Sequence, residues 1–253
     1  FVIDTSGSMI GKKIGSVNDA IENVLPMIGE ISDENPDAEI NVAALEFSTG
    51  TRWLYDEPKE AKDFIWQKVE ANGLTSLGEA CEELNKKLSR SGGFMPTSSG
   101  SGYFSPAIIL LSDGGPTDNF EGGLKTLQGN SWFKHAIKIA IAIGDDADKE
   151  VLKQFTGSSE AVITVHNIEA LKKMIRIIAV TSSQIGSQSS SAIDSTKQQQ
   201  VIDKVNEAAA DVAGAETAAS PAPAGTDSYD ESDDLILCYI DGQYIFILRR
   251  RES

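Results

Sequence analysis

FVIDTSGSM (residues 1–9) runs three apolar residues straight into Asp4, Thr5, Ser6, Gly7 and Ser8. Phe1 to Asp4 reads as a buried strand, and a strand this short delivers the aspartate and both serines directly to the loop at its carboxyl end. The same form recurs downstream: AIILLSD (107–113) ends in Asp113, and IKIAIAIGDD (137–146) ends in Gly144 and two aspartates. Continuous apolar runs are expected of inner strands in a parallel sheet covered on both faces. These stretches decide the fold class. It is α/β, a three-layer, doubly wound, mainly parallel sheet of Rossmann-like form.

Amphipathic segments fill the gaps between these strands. Ile14, Val17, Ile21, Val24, Leu25 and Ile28 fall near the 3.6-residue period of a helix. AEINVAALEFS (38–48) predicts the second strand, and TRWLY (51–55) a third, antiparallel because so few residues separate the two. PKEAKDFIWQKVEA (58–71), with Pro58 in the first turn, predicts a short helix. SLGEACEELNKKLSR (76–90) predicts another, ended by Gly92 and Gly93. Residues 93–106 are rich in Gly and Ser and read as a loop; AVITV (161–165) is the last strand and IEALKKMIRIIAV (168–180) a closing helix.

The domain is therefore expected to span 1–181. Residues 182–234 are dominated by Ser, Gln, Ala, Pro, Gly and acidic side chains. Such a stretch cannot bury enough apolar surface to offset chain entropy, so it reads as a disordered, acidic, low-complexity linker. Within it QQQVIDKVNEAAADVA (198–213) reads as a marginal helix. In the last segment, 235–253, LILCYIDGQYIFILRR restores β-type alternation around Asp241-Gly242, a hairpin signal. An isolated hairpin is marginal in water, so it is expected to dock on something.

A net charge of −16 makes binding to nucleic acid a poor expectation, since two polyanions repel. A cation, or a partner held through one, is the natural ligand. Cys81 and Cys238 lie far apart and read as reduced cytoplasmic thiols. No stretch approaches the roughly 18 to 20 consecutive apolar residues of a membrane-spanning helix. The chain starts in mid-strand without Met, so the true amino terminus is expected upstream, with room for a targeting signal.

Three segments bring oxygen-bearing side chains to strand ends: DTSGS (4–8), NGLTSLG (72–78) with Thr75, and LLSDGGPTD (110–118) with Asp113. In open parallel sheets ligands collect outside the carboxyl ends of the strands. Asp4, Ser6, Ser8, Thr75 and Asp113 can meet there. All are hard oxygen donors without Cys or His, which predicts Mg²⁺, with Mn²⁺ or Ca²⁺ tolerated. Asp118 reads as the N-cap of the next helix, Asp145 and Asp146 as turn and capping residues, His135 and His166 as structural, and Trp53, Trp66 and Trp132 as packing.

DTSGSM, the Thr of GLTSLG and LLSDGGPTD resemble the three parts of the metal-ion-dependent adhesion site of von Willebrand factor type A domains, over residues 1 to about 180. Asp4, Ser6, Ser8, Thr75 and Asp113 match its five ligand positions. The resemblance implies a Mg²⁺ site that grips an Asp or Glu on a protein partner. SLGEACEELNKKL and IAIAIGDDAD look most like the bacterial tellurium-resistance TerY branch, which implies a stress-response role and association with a kinase or phosphatase.

Other expectations compete. DTSGS is reminiscent of an aspartic protease signature, but the helical periodicity argues against that all-β chemistry. A Mg²⁺-dependent phosphatase or phosphotransferase with Asp4 as nucleophile would need an acid two residues on, where Ser6 stands. The reading is therefore non-enzymatic. A structural alternative has the hairpin at 235–248 recruit a partner by strand addition.

Overall fold

The computed structural model describes residues 1–34, 40–95, 106–186, 194–218, 234–240 and 243–249. In chain order the strands and helices are β1 (Val2–Asp4), α1 (Lys12–Glu34), β2 (Asn41–Val42), β3 (Leu45–Ser48), β4 (Gly50–Trp53), β5 (Lys59–Glu60), α2 (Leu77–Lys87), β6 (Ala107–Ser112), α3 (Phe120–Gln128) and α4 (Ser131–His135). They continue with β7 (Ile137–Ile143), α5 (Lys149–Thr156), β8 (Val162–Val165), α6 (Ile168–Gly186), α7 (Asp194–Ala210), β9 (Ala215–Thr217), β10 (Asp234–Ile240) and β11 (Gln243–Arg249).

Seven strands form the central sheet in the order β4-β3-β1-β6-β7-β8-β9. β3, β1, β6, β7 and β8 run parallel, while β4 and β9 close the two edges antiparallel. The apolar runs work as read. Ile137, Ile139, Ile141 and Ile143 of β7 face a core shared with α1, α6 and α7, while Ala140 and Ala142 face one shared with α2, α3, α4 and α5. Helices on both faces make three layers, the doubly wound α/β class that the strands predict.

β1 lies between β3 and β6, so the chain crosses over to one side of β1 and later to the other. That reversal is the topological switch point, where loops diverge and leave a crevice at the carboxyl ends. Asp4 ends β1 and Asp113 follows β6 directly, which sets both at the lip of this crevice.

Two expectations need correction. Residues 58–71 do not form a helix: β5 pairs with β2 in a small antiparallel ribbon, a 3-10 turn covers Ala61–Asp63, and 64–71 run irregularly. The cause is Asn18 of α1. Its Oδ1 accepts from the Trp66 indole N–H at 3.0 Å and the Val69 N–H at 2.9 Å, and its Nδ2 donates to the Val69 carbonyl at 2.9 Å. Phe64 and Trp66 are buried with exposed Ile65 between them, a period-two pattern that the helical reading overlooked.

The second correction concerns 182–234. α6 runs on to Gly186, and α7 and β9 belong to the same compact unit, Phe1–Ser220. Val201, Ile202, Val205, Ala209 and Val212 are buried in the core. The Gln198 amide accepts from the Lys138 N–H at 2.7 Å and donates to the Lys138 carbonyl at 2.9 Å, pairing with β7 as a strand would. The helical spacing of these few apolar residues outweighs a polar composition. The rest of the expected linker, 219–233, and most of the Gly/Ser loop, 96–105, lie outside the described residues.

Pro221–Ser253 is a separate unit, in which β10 and β11 pair antiparallel, as the hairpin signal predicts. Its turn, Asp241-Gly242, lies outside the described residues. Among the described residues no helix is long and apolar enough to cross a membrane.

Candidate metal centre

Adjacent registers bring the two acids together. Val2 pairs with Leu110 and Ile3 with Leu111, so the next residues, Asp4 and Ser112, stand side by side. The Ser112 hydroxyl donates to Asp4 Oδ2 at 2.6 Å, and the Ser6 N–H donates to Asp4 Oδ1 at 2.8 Å. Asp4 is fully buried. Burial pushes its pKa up and the nearby Asp113 charge adds to that, while the hydrogen bonds from Ser112 and Ser6 pull the other way.

From Asp113 a hydrogen-bonded chain leads outward. The Ser8 hydroxyl donates to Asp113 Oδ1 at 2.6 Å, and the Ser6 and Ser8 hydroxyl oxygens lie 2.9 Å apart. Ser6 is buried and Ser8 exposed, so Ser8 marks where the site opens. On the other oxygen of Asp113 the Lys13 ammonium forms an ion pair at 2.5 Å.

Thr75 reaches the same place on its own loop. The Gly7 N–H donates to the Gly73 carbonyl at 3.1 Å and the Asn72 N–H to the Thr5 carbonyl at 2.7 Å, which straps the 72–75 loop to the first loop. Thr117 clamps Thr75 from the opposite side: its hydroxyl accepts the Thr75 N–H at 3.0 Å and its own N–H donates to the Thr75 carbonyl at 2.9 Å. A Cβ at Gly114 would stand 3.6 Å from Ser8 Oγ and 4.0 Å from Thr75 Oγ1. Glycine therefore keeps clear the small volume that both hydroxyls border.

The chemistry of this donor set fits a hard divalent cation. Two carboxylates in mutual repulsion require positive charge, and three hydroxyls supply neutral oxygen. Among the described residues no group of three or more His, Cys, Asp or Glu side chains is arranged to hold a metal, so here the hydroxyls would have to supply the rest of the coordination. The structure thus gathers Asp4, Ser6, Ser8, Thr75 and Asp113 at one sheet edge. Sequence reasoning missed Lys13, Ser112 and Thr117, whose partners lie 100, 108 and 42 residues away.

Asp118 requires a correction. Its carboxylate accepts from the Gly78 and Glu79 N–H groups at 2.9 Å each, so it caps the amino end of α2, while Asn119 caps α3. Asp145 hydrogen-bonds His166, whose other ring nitrogen lies 3.2 Å from Glu216, and the cap of α5 is Asp148. His166 is thus structural, as expected. Its pKa is raised: burial disfavours the charged ring, but the hydrogen bonds and charges of Asp145 and Glu216 outweigh it. Trp66 is buried and Trp53 packs edge-on against Phe94. Cys81 is a buried thiol whose pKa burial pushes up to about 12, so it is inert.

Residues 1–177 match the model of the von Willebrand factor type A domain. Inter-alpha-trypsin inhibitor heavy chain H2 of Mus musculus is 28% identical over 178 residues, which cover 64% of this chain and 17% of that relative. A von Willebrand factor type A protein from Catenulispora acidiphila superposes with a TM-score of 0.51 at 19% identity, over 72% of this chain and 41% of that one. The von Willebrand factor domain of the type V pili tip protein Mfa5 from Porphyromonas gingivalis gives 0.51 at 15%, over 76% of this chain and 96% of that one. Proximal thread matrix protein 1 from the mussel byssus, with zinc occupying its MIDAS motif, gives 0.50 at 18%, over 71% and 47%. These structural likenesses show the fold.

Proposed function

The chain belongs to the von Willebrand factor type A domain family, and from that premise we propose that it is a Mg²⁺-dependent adaptor that grips an Asp or Glu of a protein partner. One observation carries the reading: the buried acids Asp4 and Asp113 and the hydroxyls of Ser6, Ser8 and Thr75 converge at the switch point, with Ser8 open to the outside. Asp4, Ser6, Ser8, Thr75 and Asp113 would hold the ion. Once bound, it supplies positive charge on which a visiting carboxylate completes the coordination.

The chain's own residues prepare that event. Ser112 and the Ser6 N–H fix the Asp4 carboxylate, Thr117 fixes Thr75, and Gly114 leaves the corner free. Ile10 and Leu74, both large hydrophobic side chains exposed to solvent, lie on the loops that carry Ser8 and Thr75. Such a rim excludes water from a gripped acid and gives a partner apolar contact. With a net charge of −16, the cation also sets the sign of the encounter.

Non-enzymatic action is part of the proposal. Asp4 has both oxygens engaged and no exposure, which suits a held ligand better than a nucleophile open to a phosphate ester. Turnover of a phosphate-ester panel with Mg²⁺, abolished by Asp4→Asn, would overturn it. A place in a tellurium-resistance system and a kinase or phosphatase partner rest on the TerY resemblance alone, and a cytoplasmic location on that and on reading Cys81 and Cys238 as reduced thiols. Affinity capture with Mg²⁺ and with EDTA tests the core of the reading. Partners are expected to elute with EDTA and to be lost in Asp113→Ala; capture indifferent to both changes means that the site is not the grip. Mn²⁺, Ca²⁺ and Zn²⁺ belong in the same series, Zn²⁺ because the byssus protein holds it at its motif.

A further inference from the structure

We propose that Lys13 is a resident cation of this site, a tethered ammonium that neutralises Asp113 in the metal-free protein and competes with the divalent ion for it. The inference rests on the metal-site reading above. Lys13 Nζ lies 2.5 Å from Asp113 Oδ2, and the Asp113 side chain has no exposure while that of Lys13 keeps 31%. The pair is thus closed at the acid and open at the base, so the lysine can swing out without unfolding anything.

The position of Lys13 is otherwise unfavourable. It sits in the first turn of α1, where the helix dipole disfavours positive charge, and that turn holds no acidic residue. Its stem then threads past the loop after β7. A Cβ at Gly144, whose φ is +98°, would crowd Asp146 Oδ1 at 2.9 Å and stand in ordinary contact with Lys13 Nζ at 3.6 Å and Cε at 3.8 Å, which places the ammonium beside this loop. A fully buried acid that receives the ammonium, with the loop after β7 packed alongside, makes its seat.

The charges explain what the seat does. Asp4 and Asp113 together carry two negative charges when ionised, and their repulsion in a buried pair needs relief in the absence of metal. Lys13 relieves it on the side of Asp113 away from Ser8, which holds the other oxygen. A divalent ion arriving between the hydroxyls meets a like charge on the same carboxylate. The ion must therefore displace Lys13 or bind against its field, and Lys13 sets the concentration at which the site fills.

The test is calorimetric titration of the full chain with Mg²⁺ alone, in parent, Lys13→Met and Lys12→Met. Lys12 is the exposed neighbour and removes the same net charge. Lys13→Met is expected to bind Mg²⁺ about tenfold more tightly, the scale of removing one like charge at short range, with Lys12→Met within about twofold of the parent. In EDTA Lys13→Met should melt below the parent, and Mg²⁺ should raise its melting temperature by more. Should Lys13→Met not fold, Lys13→Gln carries the same arms. Equal or weaker Mg²⁺ binding in the Lys13 variant, with uptake normal in the parent, overturns this inference alone. No uptake by the parent overturns the metal site and the competition together.

Discussion

Gly114 is the glycine that borders the candidate ion site. Its backbone lies outside the left-handed region, so any residue can adopt it, yet a side chain there enters the volume bordered by Ser8 Oγ and Thr75 Oγ1. Gly114→Val should leave the circular dichroism spectrum unchanged and weaken Mg²⁺ binding by about tenfold or more, because Mg²⁺ tolerates little departure from octahedral geometry. Unchanged binding would show that the ion does not sit beside Gly114. Asn18 is the counterpart in the core. Asn18→Ala strands the Trp66 indole N–H and both backbone groups of Val69, which should cost about 2–4 kcal/mol in urea unfolding. At this scale the sequence displays residues at a strand's carboxyl end, such as Asp4 and Asp113. It hides residues that act across the fold, such as Lys13, Ser112 and Thr117, because nothing local marks a partner that the sheet order alone brings near.

Elements were legible where one period dominated. β6 and β7 read plainly as continuous apolar runs, and α1 as a helical stripe. Residues 58–71 misled because a weak helical composition competed with the pairing supplied by Asn18, a tertiary contact. α7 was legible as a helix but not as part of the core, since its Ala and Gln conceal a spaced row of buried Val and Ile. Each such buried side chain is worth about 1.5–3 kcal/mol, so a chain cut after residue 181 should melt far below one cut after residue 220, or fail to fold. Equal melting of the two would remove α7 and β9 from the domain. At the β9 edge, His166 joins Asp145 and Glu216, and its folded pKa is raised above the ordinary 6.5. A raised histidine stabilises fully below its unfolded pKa, and the gain is lost as pH rises through the folded value. His166→Gln should therefore lower the urea midpoint at about pH 6 and converge with the parent near about pH 9.

For the whole molecule, a doubly wound sheet with its order reversing at β1 places two acids and three hydroxyls at one lip, and in the function proposed above a net charge of −16 leaves recognition of another acid to a cation. The sequence carried most of that plan because Asp4 ends β1, Ser6 and Ser8 follow it and Asp113 follows β6, while Thr75 arrives on a separate loop. It did not show that the domain continues through α7 and β9. Anomalous diffraction from crystals soaked in Mn²⁺ locates the ion without reference to activity. One strong peak is expected, bordered by Ser6, Ser8 and Thr75 beside Asp4 and Asp113, and it should be lost in Asp113→Ala. A peak elsewhere, or none at this lip, contradicts it.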